Sequence, residues 1–183
     1  LQPFHFAFGA LAGGLLTGRI IWGFFGPRYS RFSDFPVSLS SIRLFVRSVK
    51  NASFVGHNPL ASVVMLGIVA AGPAAAISGY LLYQTESQTL SLNSHLLEDF
   101  HEIAANVFLI LVLLHLSGLA LDVLLHQRNS ALFAIFTGRK NVSAPPASIN
   151  LFQKILAVSW FAAALSLFIL ARNLPVDRNK DDH

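Results

Sequence analysis

The stretch 99–126, DFHEIAANVFLILVLLHLSGLALDVLLH, constrains this chain more than any other. A hydrocarbon core of about 30 Å needs about 20 residues at 1.5 Å rise each, so the stretch is long enough to cross a bilayer as one helix. Inside it stand His101 and His115, fourteen residues apart. At about 1.5 Å and about 100° per residue, the second lies about 21 Å along the axis and within about 40° of the first. Both imidazoles therefore look out from one face at different membrane depths.

An ionisable side chain inside a span is costly unless paired, and neutral imidazole is the commonest protein ligand for a metal. One reading makes each histidine an axial ligand of one of two stacked haems. The other makes them structural, bonded to neighbouring carbonyls, or steps of a proton path.

The rest of the composition agrees with a membrane setting. The chain is 54% hydrophobic and 12% charged with mean hydropathy +0.57, against about 25% charged residues in soluble domains. The fold class expected is an all-α integral membrane helical bundle, not an enzyme domain in water. There is no cysteine, which excludes disulfides, thiolate zinc sites, cysteine-held iron–sulfur clusters and covalent haem attachment within this sequence. The net charge of +4 lies beside apolar runs, so it reports topology and not a nucleic-acid partner.

The sequence begins at Leu1, close to an apolar run, and a further helix is expected upstream of residue 1. Four spans are visible, at about 4–25, 59–83, 99–126 and 151–171. The first carries His5 and Arg19, again fourteen residues apart, so the same arithmetic puts them on one face. His5 then suits a haem iron, and Arg19 suits a propionate or a snorkelling position at the membrane boundary. Gly9, Gly13, Gly14 and Gly18 give two overlapping GxxxG spacings that permit close approach of a helix or a flat ring.

Loop charge sets the orientation. The connection 26–58 carries Arg28, Arg31, Arg43, Arg47 and Lys50 against the single acid Asp34, which marks the cytoplasmic side. Within it Ile42, Phe45, Val46 and Val49 recur at helical spacing, as expected of a short amphipathic helix lying on the inner membrane surface. Asn58 fits an N-cap and Pro59 a first helical position. His57, just before them, is a default interfacial histidine, a ligand, a quinone hydrogen-bond donor or a proton relay. Loop 84–98 has no lysine or arginine and belongs outside, loop 127–150 with Arg128, Arg139 and Lys140 belongs inside, and the polar tail 172–183 is outside. His5 and His101 thus share the outer level and can face each other across one haem. His115 lies deeper, and its partner is either a histidine of the expected upstream helix or His57.

Several short motifs carry a resemblance. RIIWGFFGPRYSRFSDF at 19–35, GHNP at 56–59, HEIAAN at 101–106, His115 and TGRK at 137–140 resemble the bacterial cytochrome b561 family, which includes the b-type cytochrome subunits of nickel–iron hydrogenases. The resemblance covers about residues 1–141, expected as the haem-binding membrane domain, with 142–171 an additional transmembrane helix. It implies a four-helix core in the bacterial inner membrane holding two haem b groups through four histidines. Three of those positions match His5, His101 and His115, and the family places the fourth in a helix that precedes them. It further implies electron transfer between the quinone pool and a redox partner such as a hydrogenase or a c-type cytochrome, with no catalytic residue on the protein. Glu102, beside His101, would tune potential or simply meet solvent. Other classes fit less well: His101 and Glu102 start an HExxH pattern that ends in Ala105, and neither internal repeats nor broken helices of a proton-coupled transporter are visible. A structural anchor of a larger redox complex is the other alternative.

Overall fold

The computed structural model describes residues 2–48, 56–127, 130–139 and 144–174, and among them every regular element is helical. In chain order these are α1 (Gln2–Phe25), α2 (Leu39–Arg47), α3 (Pro59–Glu86), α4 (Ser94–His126), α5 (Ala131–Thr137) and α6 (Leu151–Arg172), with a single 3-10 turn at Phe32–Asp34. Helices α1, α3, α4 and α6 are long and apolar enough to cross a membrane. The protein is a multi-pass membrane bundle.

Side-chain caps set most helix starts. Asn58, Asn93 and Asn150 accept the amides of Ala61, Leu96 and Gln153, and Ser38 and Ser130 do the same for α2 and α5. Each cap satisfies an amide that the first helical turn leaves without a carbonyl. Asn58 followed by Pro59 starts α3 as the sequence suggests. The cap at Asn93 explains a shift in α4, which begins at Ser94 and not near Asp99. With α3 running on to Glu86, the connection between α3 and α4 shrinks to 87–93 from the expected 84–98. Helix α2 is the expected amphipathic segment, starting earlier and closing at Arg47. Val49, Lys50, Arg128, Lys140 and the tail from 175 onward lie outside the described residues.

The four long helices form a row in which α6 packs on α1, α1 on α3, and α3 on α4. Among the described residues α1 and α4 have no direct backbone contact, and α3 stands behind the space between them. Small residues allow the contacts that do form. A Cβ on Gly13 would stand 2.8 Å from Ala76 Cβ of α3, and one on Gly18 would collide with the Trp160 indole of α6. That indole donates from Nε1 to Gly14 O at 3.1 Å. The glycine stripe of α1 therefore splits its duty: Gly13 admits α3, Gly14 and Gly18 admit α6, and Gly9 faces open space. Much of the remaining apolar surface, Ile110, Leu113 and Leu124 of α4 among it, is exposed, as suits a lipid-facing bundle.

Candidate functional site

Two cavities open along α4, one toward each end, called outer and inner after the sides on which loop charge leads one to expect them. The outer one, of about 540 Å³, is lined by His5 and Gly9 of α1, Ala75 and Gly79 of α3, and His101 and Phe108 of α4. It occupies the space left between α1 and α4, so the expected meeting of His5 and His101 occurs. Their ring centroids are 6.1 Å apart and their planes stand at 88°.

The surroundings of His101 fix which nitrogen is available. Its Nδ1 lies 3.0 Å from Ala75 O and 3.1 Å from Ser78 Oγ. A carbonyl oxygen only accepts, so Nδ1 carries the hydrogen and donates it. Ser78, which is buried, sends its own hydroxyl hydrogen to the same carbonyl at 3.0 Å. Nε2 is left with its lone pair, the arrangement in which a backbone carbonyl orients a metal-binding imidazole. Gly79 gives the ring its room: a Cβ there would sit 2.9 Å from His101 Cε1.

These residues fit a haem. An imidazole nitrogen about 1.2 Å from its ring centre and about 2.0 Å from a first-row metal puts two axial rings about 6.3 Å apart, centre to centre, and the observed separation is 6.1 Å. Among the described residues no group of three or more His, Cys, Asp or Glu gathers to hold a metal ion. A bare ion would lack ligands here, whereas a macrocycle supplies four nitrogens of its own and needs just two from the protein.

The inner cavity is larger, about 780 Å³. His115 and His57 share its lining with Arg28 and Tyr29 from the first connection. The His57 ring packs on Phe35 with centroids 4.8 Å apart. Arg19 lines neither cavity. Its guanidinium lies 5.2 Å and 5.7 Å from the rings of Phe32 and Phe35, and one amino group donates to Ser30 O at 3.2 Å. The other, Nη1, is buried with no hydrogen-bond partner among the described residues. Glu102 is exposed.

Two lining residues escaped the sequence reading. Asp122 and His126 face the inner cavity, with His126 Nδ1 2.9 Å from Asp122 Oδ1. The signal was present: the two are four residues apart, and His126 follows His115 by eleven, which returns it to within about 20° of the same face.

A membrane-spanning helical bundle with two neighbouring imidazoles from different helices, one of them oriented by a backbone carbonyl, has the make-up of a membrane haem-binding protein. The family model described as prokaryotic cytochrome b561 matches residues 2–138, and the chain belongs to that family of membrane b-type cytochromes. It is similar to the probable Ni/Fe-hydrogenase 1 B-type cytochrome subunits of Escherichia coli strains K12 and O157:H7, each 35% identical over 98 residues. The matched region covers 48% of this chain and 42% of each relative, so the chain spans less than half the length of the curated relatives it matches. No solved structure matches it. Helix α6 begins at Leu151, beyond the family match.

Proposed function

We propose that this protein carries electrons across the bilayer through two haem b groups, between a redox partner at the outer face and quinone in the membrane. The observation that carries the reading is the His5–His101 pair at 6.1 Å, which fits one axially held iron. His5 and His101 hold the outer group, with Ala75 O and Ser78 orienting the His101 ring. His115 supplies one ligand at the inner level, and His57, in the same cavity lining, is the candidate within this sequence for the other. A bis-histidine haem has no open coordination position and supplies one-electron transfer, not oxygen activation.

The chain's own residues do the rest. The Ala75 carbonyl keeps the His101 hydrogen on Nδ1, which makes Nε2 the better donor to a metal. Apolar walls, Phe6 and Phe108 among them, exclude water from the outer cavity and keep its dielectric low. Arg19 presents a buried N–H without an acceptor among the described residues, which suits a carboxylate such as a haem propionate. The names of the relatives favour a hydrogenase-type subunit as the partner. The inner cavity then faces the cytoplasmic side of the bacterial inner membrane, with 84–98 and the C-terminal tail outside, a reading supported by the positive charge of 26–58 and 127–150.

The test is vectorial. Full-length protein is placed in vesicles enclosing an impermeant oxidant, and a reductant is added outside. The wild type should pass electrons, while His101→Ala and His115→Ala should each lower the rate by about a hundredfold or more. Rates unchanged in both variants would favour the anchor role instead.

A further inference from the structure

The end of the bundle where α1 stops and α3 starts carries a helix too short to cross a membrane. The nine residues of α2 extend about 14 Å, about half of a hydrocarbon core. Yet α2 lies against the membrane-spanning part of the molecule. It packs on α3, and its Phe45 lines the inner cavity together with Leu60 and Val64 from the first two turns of that helix. Its level is therefore within about 8 Å of the start of a span, where acyl chains give way to headgroups.

The sequence LSSIRLFVR sorts its side chains by face. Leu39, Ile42 and Val46 recur at three- and four-residue spacing along one stripe. Arg43 and Arg47, one residue beyond Ile42 and Val46, form a second stripe about 100° round the helix. Ile42 is partly covered, whereas Leu39 and Val46 are 83% and 58% exposed. Leu44, 68% exposed, borders the arginines from the other side. Bare apolar surface interleaved with cations is the pattern of a helix seated in a lipid interface. Helix α5, which follows α4 at the same end, repeats the apolar half of it: Ile135 and Phe136 are 71% and 82% exposed.

The cationic stripe has no counterpart in the protein. Helix α2 contains no acid, and among the described residues the one ion pair joins Asp122 to His126. Asp34, the single acid of the connection 26–58, accepts the amide of Tyr29 at 2.7 Å. Two like charges four residues apart on a helix repel each other, so Arg43 beside Arg47 becomes favourable once an anion lies over both. A phospholipid of net negative charge offers both complements at this depth, an acyl chain for Leu39 and Val46 and a phosphate for the arginines.

We propose that α2 is a binding site for an anionic phospholipid, with Arg43 and Arg47 holding the phosphate and Leu39 and Val46 lying against the chain. A choline headgroup carries its own cation beside the phosphate and competes with the arginines, so the site prefers a phosphatidylglycerol-type lipid. The proposal is independent of the haem and quinone readings.

The chain has no native cysteine, so a single probe can be placed on α2. Full-length Val46→Cys, and Leu92→Cys as a reference in the connection between α3 and α4, are labelled with bimane and reconstituted in vesicles of phosphatidylcholine and phosphatidylglycerol at one fixed ratio. Bromine is carried on the upper acyl chain either of the phosphatidylglycerol or of an equal amount of the phosphatidylcholine. The probe at position 46 should be quenched at least about twofold more strongly by the brominated phosphatidylglycerol. Adding Arg43→Gln and Arg47→Gln should bring that ratio to about one while quenching by brominated phosphatidylcholine persists, which shows α2 still seated on the bilayer. The probe at position 92 should show no preference. Equal quenching by the two lipids at position 46 overturns the proposal without recourse to the arginine variants. Quenching by neither gives this face to water or to a protein and overturns it as well. So does a preference that survives the loss of both arginines, or one that is just as strong at position 92.

Discussion

His101 shows how much of the candidate site rests on neighbours that make no bond to a metal. Ala75 O and Ser78 Oγ hold its Nδ1, and Gly79 leaves space beside Cε1. Gly79→Val would push the ring from its place, since a Cβ already stands 2.9 Å away and close-packed interiors give way reluctantly. The expected outcome is loss of the outer haem with retention of the inner one, read as a halved b-haem absorbance per chain. Ser78→Ala keeps the carbonyl bond and removes just the hydroxyl, so haem should stay bound while the midpoint potential moves. Arg19→Gln removes the cation beside Phe32 and Phe35. If Arg19 neutralises a propionate, its loss should lower the midpoint potential of one haem in a redox titration, and two unshifted potentials would assign Arg19 to packing alone. At this scale the sequence was legible where periodicity sufficed. Helical spacing and loop charge together put His5 and His101 at one level, where their rings meet, but nothing local announced that Ala75 and Ser78, from another helix, would set the tautomer of His101. The Asp122–His126 pair had its four-residue spacing in plain view, yet polar groups near a helix end ordinarily meet solvent.

Among the elements, α6 lies beyond the family match and is attached to the bundle through α1. The attachment depends on Gly18, whose hydrogen lies against the Trp160 indole, and on the Trp160 bond to Gly14 O. Gly18→Leu should separate α6 from α1 and lower the thermal stability of the detergent-solubilised protein by about 1–3 kcal/mol, the usual cost of overpacking. Trp160→Phe, which keeps an aromatic ring and removes one hydrogen bond, should cost about 1 kcal/mol. Haem content should be unchanged in Trp160→Phe, because Trp160 lines neither cavity. The long spans were readable from apolar length, and the start of α3 from Asn58 and Pro59. Helix α5 was not, because seven residues, ALFAIFT, are too short to show a period. The outer end of α4 was missed for a different reason: the polar residues Ser94 and His95 look like loop until Asn93 is recognised as the cap.

The molecule as a whole is a row of helices with one cavity toward each end of α4, and the orientation proposed for it rests on loop charge. With no native cysteine, single cysteines placed at Ser40 and at Leu92 should react with an impermeant maleimide from opposite sides of intact cells, Leu92→Cys from outside and Ser40→Cys only after the inner face is opened. Labelling of both from one side would contradict the four-span arrangement. The central claim, however, is that the two cavities at the two depths of α4 are haem sites. A pyridine haemochrome assay on the purified full-length protein, normalised to polypeptide, tests it most directly. Two b haems per chain is the predicted result. One would leave the His5–His101 site and remove the relay across the bilayer, and none would contradict the account.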